Sequence, residues 1–263
     1  AIYVCLTMIW AALLWFAGMT GFDAISHSMT TIATGGFSTH NNSIGQFNNV
    51  LIDYIITVGM IIGSLPFLLY LMVLQGKSGM LFRDTQVQWF LTFLVFVIAV
   101  VALWLWTING ESPFQAIRMA AFNVTSIMTG TGYVTAGFDQ WGSFAIPIFF
   151  FIMFVGGCAG STTCGIKIFR FQVLYAAARI QFQKLIQPHG VFIPYYNHKP
   201  IPEEVISSVM SFFFIFFATY MCLAIALGFL GLDFLTSVSA AAAAISNVGP
   251  GLGPIVGPEG NYS

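Results

Sequence analysis

Three short runs rich in glycine, threonine and asparagine lie between strongly hydrophobic segments of this chain. They are Met29–Thr39 (MTTIATGGFST), Met128–Thr135 (MTGTGYVT) and Ser246–Gly251 (SNVGPG), and none contains a charged side chain. Polar backbone at membrane depth is tolerated only where it is buried in protein or lines a wet cavity, because lipid cannot satisfy its N–H and C=O groups. Rings of backbone carbonyls replace the hydration shell of a cation in ion-selective filters. The runs therefore predict re-entrant loops whose carbonyls face a common axis.

A fourth run, Gly156–Gly165 (GGCAGSTTCG), interrupts a hydrophobic segment. Its four glycines in ten residues disfavour a continuous helix, so we expect a span that is broken within or near the membrane. The spacing of Gly160 and Gly165 is that of a phosphate-binding loop. However, Ile166 intervenes before Lys167 and no serine or threonine follows the lysine, so nucleotide binding is not predicted here.

Composition places the chain among membrane proteins. Of its 263 residues 58% are hydrophobic and 6% are charged, whereas a soluble domain has roughly 25% charged residues. The net charge of −1 gives no reason to expect nucleic acid as a partner. The spans hold no nucleophile–base or metal-ligand set, so we expect no enzyme activity and no organic cofactor. A secondary cation carrier with broken helices stays open as an alternative, although the spans lack the ionisable pair that it would favour.

The elements that must position these runs follow from hydrophobicity, and the sequence predicts an all-α polytopic membrane protein. Long spans are expected at Ala1–Gly18, at Ile55–Leu74 with a kink at Pro66, and at Val87–Ile108. A fourth span is expected to be broken into Phe144–Val155 and Ile166–Ile180. A further span is Val205–Leu230, and short helices are Phe22–Thr31, Pro113–Thr125 and Phe234–Ile245. The order span, short helix, loop, span repeats along the chain. It predicts units at residues 1–75, 87–180 and 205–263, the last without a closing span, joined by loops at 76–86 and 181–204.

The distribution of charge predicts which way the chain faces. Basic residues concentrate in two regions. Lys77 and Arg83 lie in the loop at 76–86, and five more lie beyond the break in the fourth span, namely Lys167, Arg170, Arg179, Lys184 and Lys199. The positive-inside rule makes these regions cytoplasmic and the three polar loops external. The external segments carry six acids against the single base Arg118, namely Asp23, Asp53, Glu111, Asp139, Asp233 and Glu259. This excess could concentrate cations or could only restate the topology rule. We expect Arg118 to pair with an external carboxylate or the polar loop, and His27 to pack or hydrogen-bond.

Three stretches together carry a family resemblance. His27–Phe47 (HSMTTIATGGFSTHNNSIGQF), Gly156–Lys167 (GGCAGSTTCGIK) and Asn247–Pro254 (NVGPGLGP) closely resemble the Trk/Ktr/HKT superfamily of potassium transporters, within it the bacterial TrkH/TrkG branch. The resemblance implies four non-identical helix–pore-loop–helix units around one ion pore. On that pattern the chain holds units two and three and most of unit four.

The resemblance also assigns site residues. It implies that Gly36, Gly132 and Gly249 share one filter position, and that the ion-binding filter consists of Thr34, Gly35, Gly36, Phe37, Thr129, Gly130, Thr131, Gly132, Tyr133, Asn247, Val248 and Gly249. It implies that the broken span crosses the pore below the filter as a gate; the alternative is an unwound helix that only eases packing. The gating residues would be Gly156, Gly157, Gly160, Ser161, Thr162, Thr163, Gly165 and Lys167.

The resemblance finally implies a setting: a multi-pass protein of the bacterial inner membrane that takes up potassium. It implies a homodimer surrounded by lipid and a cytoplasmic nucleotide-binding regulatory subunit of the TrkA type that moves the gate. Potassium at the filter would be the only metal. Composition does not separate potassium from sodium, so a sodium-permeable member of the superfamily stays open.

Overall fold

The computed structural model describes residues 2–77, 79–197 and 199–258, which leaves Glu259 outside. The described chain is mostly helical, as predicted. Its α-helices are α1 (Ile2–Phe16), α2 (Gly21–Ile32), α3 (Val50–Gly63), α4 (Phe67–Leu74), α5 (Gly79–Arg83), α6 (Thr85–Thr107), α7 (Pro113–Met128), α8 (Ala145–Ile152), α9 (Ile168–Ile186), α10 (Glu203–Phe229) and α11 (Phe234–Ser246).

The three short helices that precede the polar loops begin at strong capping residues. The side chains of Thr20, Ser112 and Asp233 accept hydrogen bonds from backbone N–H groups in the first turns of α2, α7 and α11. These residue types satisfy N–H groups that have no partner within the helix. Proline follows the cap of α7, where its missing N–H costs nothing. The polar start of each helix is therefore encoded locally.

The segment predicted as one span with a kink at Pro66 is instead broken. The axes of α3 and α4 differ by 93°, and Ser64, Leu65 and Pro66 separate them. Proline removes one N–H and disfavours helical backbone in the preceding residue, which explains the position of the break. A break this sharp also frees the carbonyls at the end of α3, and a second segment of the chain binds them.

That second segment is the break predicted in the fourth span. The chain leaves the helical path after α8 and returns to it at α9. Val155 and Ile166 form an isolated parallel bridge at its base, and Gly156 N–H donates to the Ile166 carbonyl at 2.9 Å. Residues 156–165 therefore form a loop with closed ends, which we call the intramembrane loop.

Two described helices, α6 and α10, are long and apolar enough to cross a membrane, and the bent pair α3–α4 would make a third. Helix α1 has 15 residues, about 22 Å of helix, which is shorter than the span predicted for Ala1–Gly18. Five elements were not predicted: α5 within 76–86, the 3₁₀ turns Ser43–Phe47 and Phe138–Gln140, and the paired strands β1 (Tyr195–Tyr196) and β2 (Lys199–Pro200) within 181–204.

Candidate functional site

The three polar loops leave their short helices in the same way. In the first loop Thr34 N–H donates to the Thr31 carbonyl at 3.1 Å, and Gly35 N–H donates to the Thr30 carbonyl at 2.7 Å. This pair of bonds is the Schellman motif, which caps the last carbonyls of a helix with a left-handed residue. The second and third loops repeat both bonds at 2.8–3.2 Å, through Gly130–Ile127, Thr131–Ser126, Asn247–Ala244 and Val248–Ala243.

The backbone of the loops alternates in handedness after this cap. The residue at the cap and the residue two positions later have positive φ in every loop, and the residue between them does not. Such alternation turns successive carbonyls toward one side of the chain, whereas an extended strand points them to opposite sides. The values of φ are 50° and 68° for Thr34 and Gly36, 71° and 82° for Gly130 and Gly132, and 52° and 104° for Asn247 and Gly249.

Adjacent loops are in direct backbone contact at the shared glycine. A methyl group built on Gly36 would overlap the carbonyl oxygen of Thr131, and one built on Gly132 would overlap that of Val248. Positive φ is itself unfavourable for a residue with a side chain. Glycine is therefore required there for two independent reasons, and each loop contacts the next one in chain order.

Among the described residues, the contacts between the loops do not continue from the third loop back to the first, which leaves an open side there. A methyl group on Gly249 would meet, among the described atoms, only the Gly132 Cα at 4.0 Å. Phe37, at the opposite end of the succession, is 79% exposed. Tyr133 follows the shared glycine of the second loop, as Phe37 does in the first, yet it is fully buried against α2. The contacts that bury Tyr133 are therefore missing for Phe37 in the described part of the chain.

The Tyr133 hydroxyl braces the second loop against the first unit. It hydrogen-bonds to the Thr30 hydroxyl, and the Thr31 hydroxyl donates to it at 3.4 Å. Thr30 in turn donates to the carbonyl of Phe37 at 2.9 Å. Tyr133 was predicted only as a backbone contributor to the filter, and one sequence does not reveal the distant partner of a hydroxyl. The buried Thr129 and Thr131 hydroxyls bond to each other at 2.7 Å within the second loop.

Charged and imidazole groups outside the loops hold the structure together. Arg118 Nε lies 2.7 Å from the Asp53 carboxylate, so of the two predicted partners, a carboxylate or the polar loop, it pairs with a carboxylate. Asp23 accepts hydrogen bonds from Thr20 and Thr39, both at 2.6 Å, and ties the loop to α2. His27 is buried and bonds through its two ring nitrogens to Asp23 and Ser38, as expected for a packing role. The described residues hold no cluster of histidine, cysteine and acidic side chains that could bind a metal.

Side chains at the end of the intramembrane loop hold its shape. The amine of Lys167 donates to the carbonyl and hydroxyl of Thr163, the latter at 3.0 Å, and lies 3.4 Å from the Ser161 hydroxyl. The Thr163 hydroxyl accepts from Gly157 N–H at 3.1 Å, and the Ser161 hydroxyl donates to the Cys158 carbonyl at 2.6 Å. Ser161, Thr163 and Lys167, which form these bonds, are among the predicted gating residues.

The loop docks into the break between α3 and α4. Cys158 N–H donates to the Ser64 carbonyl at 3.0 Å, and Thr162 N–H donates to the Gly63 carbonyl at 3.2 Å. In return the Gly160 carbonyl accepts from Phe67 N–H at 3.0 Å. The loop thus replaces helical hydrogen bonds that the break removes. The sequence signalled each break separately, through Pro66 and through the glycine run, but did not indicate that they meet.

The intramembrane loop also contacts all three polar loops. The Thr162 hydroxyl donates to the carbonyl of Ile32, the last residue of α2, at 3.0 Å, and accepts from the Thr34 hydroxyl at 3.3 Å. The Asn247 side chain donates to the thiol of Cys164 at 3.2 Å. A methyl group on Gly130 would lie 3.6 Å from Cys164 Cβ. The intramembrane loop therefore lies directly against the first residues of all three polar loops.

Comparisons with known proteins agree with this architecture. Residues 1–260 match the family described as TrkH, cation transport protein. The chain is 42% identical to the Trk system potassium uptake protein TrkI of Halomonas elongata, over 100% of this chain and 54% of that protein. It is 34% identical to the Trk system potassium uptake protein TrkH of Escherichia coli K12, over 97% of this chain and 53% of that protein. The crystal structure of the potassium transporter TrkH from Vibrio parahaemolyticus superposes with a TM-score of 0.93 and 35% identity, over 97% of this chain and 56% of that one. The chain spans about half the length of these relatives.

Proposed function

Because this chain belongs to the TrkH family of cation transport proteins, we propose that it forms most of a pore for potassium uptake. The observation that carries the proposal is the set of three loops with equal capping, equal backbone handedness and direct contact at one glycine. Carbonyl oxygens in such an arrangement can replace the water around a partly dehydrated cation. The loops contain no carboxylate that would trap the ion.

The filter would use the predicted residues Thr34–Phe37, Thr129–Tyr133 and Asn247–Gly249. The open side between Gly249 and Phe37 is where a fourth loop would close the ring. We propose that this loop comes from outside the described residues, and that the units at 1–75, 87–180 and 205–263 are the second, third and fourth of the pore. The exposed ring of Phe37 would then pack on the short helix of that unit, as Tyr133 packs on α2.

The intramembrane loop is proposed as the gate. It lies against all three described filter loops, so an ion that leaves the filter on this side has to pass it. The loop is held by hydrogen bonds from groups that water can also satisfy, and its glycines give it many backbone states. Helix α9 begins one residue after Lys167, so a displacement of α9 would pull on the loop directly.

The proposed setting is a homodimer in the bacterial inner membrane, with the basic segments in the cytoplasm. A cytoplasmic nucleotide-binding subunit of the TrkA type would act on α9 and thereby on the gate. Any nucleotide would belong to that subunit, because the glycine run lacks the residues of a phosphate-binding loop. Potassium would be transported and would be the only ion that this chain binds.

Cation uptake tests the proposal. The full-length protein should restore growth at low potassium to a bacterial strain without its own potassium uptake, and should carry rubidium in competition with potassium. Excess sodium should compete far less well, which separates a potassium filter from a sodium-permeable one. Equal competition by sodium, in cells that insert the protein normally, would contradict the proposed selectivity. Expression of residues 1–263 alone should give no selective uptake if a fourth loop is needed.

A further inference from the structure

A buried glutamine at the start of α6 binds the tip of the intramembrane loop. The Gln86 side-chain oxygen accepts a hydrogen bond from the Ala159 backbone N–H at 2.8 Å, and Gln86 is 8% exposed. The hairpin formed by β1 and β2 in turn holds the start of α6 through Asn197. We propose that Gln86 is a positioning residue that keeps the intramembrane loop in its observed place, and that the hairpin controls this contact.

The packing of α6 does not by itself explain an amide at this position. The neighbouring side chains Val87 and Phe90 are apolar and buried. The Asp84 carboxylate already caps the helix, because it accepts from the backbone N–H groups of Gln86 and Val87 at 2.9 and 3.3 Å. Burial of a side-chain amide costs free energy unless its polar atoms are hydrogen-bonded. The Ala159 N–H is such a partner, so the amide is explained by the loop and not by the helix.

Gln86 ties the tip of the loop to a second helix. The residues on either side of Ala159 bond to the break between α3 and α4. Cys158 N–H donates to the Ser64 carbonyl, and the Gly160 carbonyl accepts from the first residue of α4, both at 3.0 Å. Among the described hydrogen bonds, loss of the one to Gln86 would leave the tip held from the α3–α4 break alone.

The hairpin reaches Gln86 through the two residues that precede it. Asn197 Oδ1 accepts from the backbone N–H and the hydroxyl of Thr85 at 3.1 and 2.7 Å. Asn197 Nδ2 donates to the Asp84 carboxylate at 3.1 Å. Tyr196 of the same hairpin interacts with the Gln86 side chain. A displacement of the hairpin therefore moves the first turn of α6, and with it the acceptor that holds the loop.

Hydrogen exchange of the purified full-length protein tests the role of Gln86 without transport. Gln86→Met removes the acceptor at nearly unchanged size, and exchange is followed residue by residue by mass spectrometry. We expect the Ala159 N–H to exchange about tenfold faster, the value of one hydrogen bond to a buried partner. The N–H groups of Cys158 and Thr162 keep their acceptors but should also exchange faster, because the loop opens as a unit. If only the Ala159 N–H exchanges faster, Gln86 forms a local bond and does not position the loop.

Two further variants separate positioning from general damage to α6. Gln86→Glu keeps an acceptor oxygen at the same reach and should preserve the slow exchange of the loop. Gln88→Met makes the same change as Gln86→Met on an exposed residue of α6, whose amide donates to the Phe82 carbonyl, and should leave the loop unchanged. Faster exchange of the loop in either variant would overturn the assigned role of the Gln86 oxygen.

Asn197→Gly tests the hairpin from the other end of the same path. Asn197 has a φ of 46°, which glycine adopts without strain, so the change removes the side chain and keeps the backbone. It should speed exchange of the loop N–H groups in the otherwise unchanged protein. In Gln86→Met it should add nothing, because both changes act through one hydrogen bond. Fully additive effects would overturn the path from the hairpin to Gln86.

The effect on transport rests on the proposed gate. If the intramembrane loop is the gate, Gln86→Met and Asn197→Gly should each raise resting potassium flux, up to about tenfold. Faster loop exchange with unchanged flux would support the role of Gln86 and contradict the gate. Unchanged loop exchange would contradict the role of Gln86, whatever the flux.

Discussion

Replacing Gly36 by alanine should lower the selectivity of the pore for potassium over sodium. The added methyl group would overlap the Thr131 carbonyl oxygen and would hold a side chain at a φ of 68°. Backbone strain of this kind costs about 1–3 kcal/mol. The loops can relieve the overlap only by moving apart, which enlarges the carbonyl ring. If about 1.4 kcal/mol of the discrimination is lost, the permeability ratio of potassium to sodium falls about tenfold.

Gly35→Ala is the matched control, because it adds the same methyl group to the neighbouring residue. That methyl would meet its nearest described atom at 3.7 Å, which is ordinary contact, and φ at Gly35 is not positive. The equivalent residues of the other loops, Thr131 and Val248, already carry side chains. Ion ratios are measured by reversal potentials or by competing fluxes in proteoliposomes of each variant. Unchanged selectivity in Gly36→Ala, or an equal loss in Gly35→Ala, would refute the assigned contact.

Three further predictions follow from the contacts. Thr162→Val keeps the shape of the side chain but removes its hydrogen bonds to the carbonyls at the ends of α2 and α3. If the closed position of the intramembrane loop loses about 1 kcal/mol of stability, resting potassium flux should rise about fivefold. Unchanged flux would argue against the proposed gate. A small cationic thiol reagent should block the open pore at Cys164 and not at the fully buried Cys158, and block that persists in Cys164→Ser would place the reactive thiol elsewhere. Arg118→Met leaves the Asp53 carboxylate, which is 3% exposed, without its partner and should destabilise the protein by about 3–5 kcal/mol, measured by thermal unfolding. The double variant Arg118→Met/Asp53→Leu should recover most of that loss.

Local features of the sequence were sufficient to locate most of the helices. Helix starts and ends depend on features of neighbouring residues, such as a capping residue, the proline at the first turn of α7, and a hydrophobic run. For this reason the short helices and the glycine-rich break were predicted close to where they occur. The resemblance among the three loops was also visible, since each places a glycine two residues after its helix cap. The sequence predicted that Arg118 would pair with an external carboxylate or with the polar loop, and it did not specify which carboxylate.

Only the tertiary structure decided which atoms meet. Three kinds of contact join residues about 95 to 116 positions apart in the chain. They are the contacts of Gly36 with Thr131 and of Gly132 with Val248, the hydrogen bond from α2 to Tyr133, and the docking of Thr162 on Gly63. No local pattern encodes such a meeting, because it depends on how whole helices pack. The same reason explains the sharp break before α4. Its proline predicted a bend, but a 93° turn is stable because the intramembrane loop binds the carbonyls that the turn exposes.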